Sequence, residues 1–289
     1  MNLVITQSRR AASFLHREVS NMIHSATHGH FPRVLANSMP KAGTNLLTRL
    51  LTQLGFNEHG FLDFGPNEGI EQVSEKQIRQ VRRFLARIRP GLFSVSHFYS
   101  FPEIDEVIGE LGIRTLTIVR DPRDVCVSDV YYIRKTPSHR LYPYYVKMSL
   151  QEGLTASIVG METCQLDGAP PSFDIGSHYR NYLGWARQGV GLLVKFEELI
   201  GEKGGGEDQI QKETVSRIAE YLGLKLSDQE ITAVCAGLFW TKAATFREGQ
   251  IGSWREHFNP GHRAAFKRVF GNLMADFGYE DNDAGETEA

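Results

Sequence analysis

Cysteine is scarce: Cys126, Cys164 and Cys235 are the only three in 289 residues, and their spacing matches no zinc-ligand pattern. An odd number of scattered thiols in a long chain argues against a disulfide framework and fits a reducing, cytoplasmic setting. No segment approaches the roughly 18 uninterrupted apolar residues of a membrane span. The start of the chain, with Arg9, Arg10 and Arg17, lacks the apolar run of roughly 7–15 residues that a secretory signal requires. Asn-x-Ser/Thr glycosylation acceptors are absent, in keeping with a protein that is not secreted. Neither charge sign dominates, since 32 Lys and Arg face 34 Asp and Glu. The resulting net charge of -2 provides no global field for nucleic acid or an anionic membrane, so any anion site must be local.

What is present is ordinary globular composition, 41% hydrophobic and 23% charged, which disfavours disordered, collagenous and coiled-coil chains. Short apolar runs at Val34–Ala36, Leu92–Val95, Ile113–Val119 and Val190–Phe196 read as strands. Helical periods lie between them: Ile78, Val81, Leu85 and Ile88 share one face, as do Ile210, Ile218 and Leu222. Alternating strands and helices predict an α/β fold with a central parallel β-sheet flanked by helices. Asp208–Leu222 is expected to end at Gly223, and Ser227 with Glu230 has the form of a capping box. Residues 8–24 read as an amphipathic helix carrying Phe14, Val19 and Ile23. Residues 1–289 are read as one domain, with 1–32 an N-terminal helical segment and 280–289 a flexible acidic tail. Residues 57–75 and 134–180, the latter part of a Tyr-, Pro- and Gly-rich stretch, are expected to cover a substrate site.

Three segments carry chemistry. In Pro40-Lys41-Ala42-Gly43-Thr44-Asn45 a strand turns into a helix, the context of a phosphate cradle. Gly43 lets the backbone approach an anion, the following amides point out of a helix N-terminus, Lys41 adds a charge, and Thr44 and Asn45 add donors. It is not a Walker A loop, because the lysine precedes the glycine and is followed by Ala42 rather than a hydroxyl. The second segment ends a strand at Arg120, with Ser128 two helical turns on, a guanidinium and hydroxyl suited to phosphate. Asp121, Arg123 and Asp124 read equally well as a helix cap or a surface pair. The third, Arg247-Glu248-Gly249-Gln250-Ile251-Gly252, sets a cation beside two glycines, a loop able to fold over an anion.

In this order and spacing the segments resemble the sulfotransferase family that uses 3′-phosphoadenosine 5′-phosphosulfate (PAPS), over about Arg33 to Phe258. The resemblance implies a P-loop-like sulfotransferase fold and an enzyme that moves a sulfuryl group from PAPS to a hydroxyl or amine of a small molecule, releasing adenosine 3′,5′-bisphosphate (PAP). It assigns Lys41, Ala42, Gly43, Thr44 and Asn45 to the 5′-phosphosulfate loop, and Arg120 and Ser128 to the 3′-phosphate. Arg247, Glu248 and Gly249 fall in the closing loop, and Phe196 falls beside the base. His97, at a strand end, stands where the family has its general base, and Lys41 would stabilise the leaving phosphate. No metal is implied. Leu46 replaces a tryptophan common in the family, Phe196 a tyrosine, Val95 a lysine and Glu248 a lysine, which suggests a divergent bacterial-type enzyme.

Two alternatives stand beside this reading: a P-loop phosphotransferase using ATP and magnesium, and a non-catalytic nucleotide-binding relative. His24, His28 and His30 lack the carboxylate or cysteine neighbours of a metal site. Trp185, Phe239, Trp240 and Trp254 read as core anchors, with Phe239 and Trp240 also within reach of a base. Tyr131, Tyr132, Tyr142, Tyr144 and Tyr145 fit an acceptor pocket or a packed cluster equally well. Asp63, Glu68, Glu71, Glu152, Glu162 and Asp174 raise the possibility of a cationic acceptor. A homodimer is compatible with the sequence, which carries no motif fixing the oligomeric state.

Overall fold

The computed structural model describes residues 17–62, 72–161, 172–187, 191–240 and 249–279. After helix α1, helical over residues 17–27, the chain forms β1 Val34–Ser38, α2 Thr44–Gln53, β2 Asn57–Leu62, α3 Glu75–Leu85, β3 Leu92–Ser96, α4 Pro102–Glu110, β4 Arg114–Val119 and α5 Pro122–Lys135. Three helices follow, α6 Tyr142–Tyr145, α7 Leu150–Val159 and α8 Ile175–Arg187, then β5 Leu192–Lys195 and α9 Phe196–Leu199. The last elements are α10 Asp208–Tyr221, α11 Asp228–Ala236, α12 Pro260–Phe270 and α13 Leu273–Asp276.

The five strands are all parallel in the order β2-β3-β1-β4-β5, with Val34 of β1 beside Phe93 on one side and Arg114 on the other. β1 is covered on both faces: Leu35 joins the core with α3–α5, α7 and α8, whereas Val34 and Ala36 join the core with α2 and α9–α11. Burial on both faces is why β1 and β3 each open on consecutive apolar residues, Val34-Leu35-Ala36 and Leu92-Phe93. After β1 the chain builds β2 and β3 on one side and then returns to place β4 on the other. This reversal opens a crevice at the carboxyl ends of the strands, where open α/β sheets bind ligands.

Four strands match the sequence reading to within a few residues, and β2 was missed. Asn57–Leu62, read as cover, is instead an edge strand pairing with β3. Its Asn-Glu-His-Gly start is polar because an edge strand exposes much of its surface, so the hydrophobic signal is lost. The apolar start of the sheet's last strand also stops sooner than expected, because Phe196 already opens α9. Gly223 follows α10 with φ 76°, and the Ser227–Glu230 capping box is present. Over its described part helix α1 corrects its prediction too: Val19 and Ile23 are exposed and polar Asn21 is buried, while Phe14 lies outside the described residues. Asn21 is buried and its amide donates to the Glu58 carbonyl at 3.3 Å, while the stacked rings of His24 and His28 lie against Gly91. Among the described residues no His, Cys, Asp and Glu side chains form a metal-type cluster, and no helix is long and apolar enough to cross a membrane.

Candidate active site

Two of the three predicted site segments, those of Lys41 and Arg120, leave a strand at its carboxyl end, as does His97. From β1 comes the turn Met39 to Gly43, tight enough to need positive φ at Lys41 (67°) and Gly43 (116°). Glycine is required at 43, since a Cβ there would lie 2.8 Å from Phe196 Cδ2 and 3.1 Å from Ile118 Cδ1. No N-cap side chain bonds to the first turn of α2, so the positive pole of this end of the helix faces the cavity that Gly43 and Thr44 line. Lys41 is half-buried with its Nζ 3.7 Å from the centre of the Tyr132 ring. Burial pushes its ammonium down to about 8, Asp129 opposing the shift and Arg120 adding to it. Ala42 departs from expectation: it is wholly buried beneath the turn, its N–H bonded to the Met39 carbonyl at 3.0 Å. A turn this tight directs alternate residues inward, and the methyl of Ala42 is one of them.

β3 delivers His97. Its Nδ1 is 2.7 Å from the Ser38 carbonyl oxygen and 3.1 Å from Ser38 Oγ, which in turn is 2.7 Å from Thr44 Oγ1. A carbonyl only accepts, so Nδ1 carries the proton and, in the neutral ring, Nε2 is the basic nitrogen. Tyr182 Oη holds the same carbonyl at 3.1 Å, and the Phe61 ring packs edge-on against the imidazole at 5.2 Å. Helix and base are thus joined through one serine.

From β4 comes Arg120, nearly buried, its guanidinium 4.3 Å from the centre of the Phe196 ring at the end of β5. One amino group donates to the Gln250 carbonyl at 2.7 Å and lies 3.6 Å from Asp124 Oδ2, while Nε is buried with no partner among the described residues. Tyr179 fixes the main chain by donating to the Arg120 carbonyl. Asp124 is neither cap nor surface charge. It is fully buried and accepts from Gly252 N at 2.7 Å, Trp254 N at 2.9 Å and Ser253 Oγ at 3.1 Å. Burial raises its carboxyl, with Arg120 opposing. The cap of α5 is Asp121, which also forms a buried pair with Arg123 at 2.8 Å. Two glycines with positive φ, Gly249 (62°) and Gly252 (75°), shape the segment that Asp124 and Arg120 hold.

These strand ends enclose a cavity of about 700 Å³. Lys41, Gly43, Thr44, Asn45, His97, Arg120, Ser128, Phe196 and Gly249 all line it. Arg247 and Glu248 lie outside the described residues, as do Asp63, Glu68, Glu71 and Glu162. The sequence reading missed Arg49 as a lining residue, Glu58, Phe61 and His139 fall within the stretches expected to cover the site without having been singled out, and Trp240 is no core anchor. It is 44% exposed on the cavity wall with the Arg49 guanidinium 5.4 Å from its ring centre. Arg49 was legible, one helical turn beyond Asn45, whereas β2 had to be recognised before Glu58 and Phe61 could be placed. Trp185 and Trp254 are core residues as expected; of the tyrosines, Tyr132 lines the cavity and Tyr145 is buried. Glu152 and Asp174 are not among the residues that line the cavity. Glu152 completes the capping box of α7, and Asp174 accepts from Ser177 N and Oγ at the start of α8.

The donor set fits a ligand with more than one phosphate-like group. Lys41 and the open start of α2 stand at one point, and the unsatisfied Nε of Arg120 marks another. Phe196, Leu46, Leu238 and Trp240 supply the flat, apolar surface that a base requires. Fold and cavity therefore define an open α/β protein with a nucleotide-type anion site at its switch point. The sequence profile of the sulfotransferase domain matches residues 31–242, and the chain belongs to that family. A 3-beta-hydroxysteroid sulfotransferase of Cavia porcellus is 23% identical over 187 residues, and the chain spans 57% of that relative's length. A mouse sulfotransferase, SULT7A1, solved in complex with PAP, has a similar fold, with a TM-score of 0.55 and 18% identity over 84% of this chain and 85% of that one.

Proposed function

We propose that the protein is a PAPS-dependent sulfotransferase acting on a hydroxyl or amine of a small molecule. The observation that carries this reading is the convergence, at four adjacent strand ends, of an uncapped helix start with Lys41, a base at His97, Arg120 and Phe196. PAPS supplies an activated sulfuryl group and PAP as the leaving group. Lys41, Gly43, Thr44 and Asn45 hold the 5′ end, Arg120 and Ser128 hold the 3′-phosphate, and Phe196 packs against the base. Arg247, Glu248 and Gly249 belong to the segment that closes over the nucleotide, and Trp240 offers the second aromatic face that Leu46 does not.

His97 acts as general base through Nε2, because Nδ1 is committed to the Ser38 carbonyl, which also fixes the ring's orientation. As the acceptor loses its proton to Nε2, the resulting imidazolium keeps its Nδ1–H bond to that carbonyl, which stabilises the charge. Lys41 neutralises charge on the leaving phosphate, a role for which its poorly solvated position suits it: an ammonium without competing water acts more strongly on a nearby anion. Positioning and charge stabilisation carry the catalysis, as in phosphoryl transfer.

Calorimetric titration with PAP, and separately with ATP and magnesium, tests the reading. Metal-independent PAP binding should weaken at least tenfold in Arg120→Ala, whereas His97→Gln should retain PAP binding and lose about a hundredfold or more in kcat. Preference for ATP with magnesium, or PAP binding indifferent to Arg120, would replace it with a phosphotransferase. PAP binding without turnover of any acceptor would indicate a binding protein.

A further inference from the structure

The cavity holds a second imidazole, and its chemistry is the reverse of that of His97. His139, four residues beyond the end of α5, is half-buried and lines the same cavity. The Leu141 N–H donates to its Nδ1 at 3.2 Å, so Nδ1 is an acceptor and the ring proton sits on Nε2. Burial lowers the basicity of the ring, with Asp129 opposing and Lys41 adding, which keeps it neutral near pH 7. In the neutral rings His97 thus has its lone pair on Nε2, where His139 has its hydrogen.

His139 belongs to a built wall. Its ring packs edge-on against Tyr132 at 5.8 Å, and the face of Tyr132 carries the Lys41 ammonium. Asp129, one turn before Tyr132 on α5, acts electrostatically on both Lys41 and His139. Asp129, whose carboxyl burial raises, and the Lys41 ammonium act on His139 with opposite sign, and a neutral imidazole N–H between them suits a neutral oxygen as its partner. The nearby Phe61 and Tyr132 rings provide flat surfaces for an aromatic body.

We propose that His139 determines acceptor specificity, donating from Nε2 to a second, neutral oxygen of an aromatic hydroxyl compound whose reacting hydroxyl meets His97. This rests on the sulfotransferase reading and narrows its substrate class to hydroxyarenes that also carry a carbonyl, ether or hydroxyl oxygen. A donor that a bound ligand covers and leaves unpaired discriminates more strongly than a missing methylene does.

The test compares kcat/KM, at saturating PAPS, for 3- and 4-hydroxyacetophenone with 3- and 4-ethylphenol, which lack only the carbonyl oxygen. The wild type should prefer the ketone of at least one pair, and His139→Phe should reduce that ketone-to-alkyl ratio about tenfold. Comparing ratios between the two proteins cancels the intrinsic reactivity of each phenol. His139→Gln, which keeps an N–H donor, should restore part of the preference, and the PAP dissociation constant should change less than twofold in both variants. An unchanged ratio in His139→Phe overturns the proposal, as does a loss confined to PAP binding, or a wild type that binds PAP yet turns over only the ethylphenols or none of the four. A wild type that fails to bind PAP overturns the sulfotransferase reading itself, and the calorimetry separates that outcome from the others.

Discussion

Replacing Lys41 with methionine should make the unliganded protein more stable while impairing the proposed donor site. Methionine has nearly the length and volume of the lysine stem but no charge, and it retains the left-handed backbone, so the substitution isolates the ammonium. Moving that group from its ordinary 10.5 to about 8 corresponds, at about 1.4 kcal/mol per pH unit, to a penalty of about 3 kcal/mol on the folded state at pH 7. The cation–π contact with Tyr132 returns about 1 kcal/mol, so the expected net gain for Lys41→Met is about 2 kcal/mol. The sign reverses the usual salt-bridge case. Below pH 8 both folded and unfolded chains hold the proton and the penalty is complete. Between 8 and 10.5 the unfolded chain holds more protons, so wild-type stability rises with pH and the variant's advantage disappears near pH 10. Urea unfolding of both proteins at pH 7 and pH 10 measures this directly, with PAP titration at pH 7 recording the weaker binding. A variant less stable than wild type at pH 7, or an advantage that is the same at both pH values, would refute the desolvation argument.

Two further substitutions probe how the site is held. Gly43→Ala combines a left-handed alanine, about 1–2 kcal/mol, with a collision against Phe196 and Ile118, about 1–3 kcal/mol. Thermal unfolding should register a loss of about 2–5 kcal/mol, and a loss under about 1 kcal/mol would mean that the turn is softer than its contacts imply. Asp124→Asn sets an amide NH2 against the Gly252 N–H or against the Ser253 and Trp254 donors, and removes the charge beside Arg120. The PAP dissociation constant should rise about tenfold, roughly 1.4 kcal/mol. An unchanged value would show that the 249–254 segment and Arg120 act independently of Asp124.

Much of the site is readable from sequence because it lies where strands stop. An apolar run buried on both faces is conspicuous, and in a parallel sheet the residues just after such runs gather at one edge. Lys41, His97, Arg120 and Phe196 each follow a strand in this way, so marking the strands nearly marks the site. The same logic fails where burial does not coincide with apolarity. β2 is an edge strand with a polar start, α1 docks through Asn21, His24 and His28, and Asp124 is a carboxylate inside the protein. In each the stabilising partner is distant in sequence, 37 residues for Asn21 and up to 130 for Asp124.

The sequence by itself determined the parallel α/β architecture and the placing of Lys41 and Arg120 just beyond strand ends, where both line the cavity, because periodicity and turn chemistry are local properties. Tertiary structure alone decided which imidazole nitrogen bears a proton, since that depends on the Ser38 carbonyl at one ring and the Leu141 amide at the other. It also decided that Ala42 turns inward, that Trp240 reaches the cavity wall, and that Lys41 loses enough water to titrate near 8. Protonation and solvation depend on everything packed around a group, and most of those neighbours are far away along the chain.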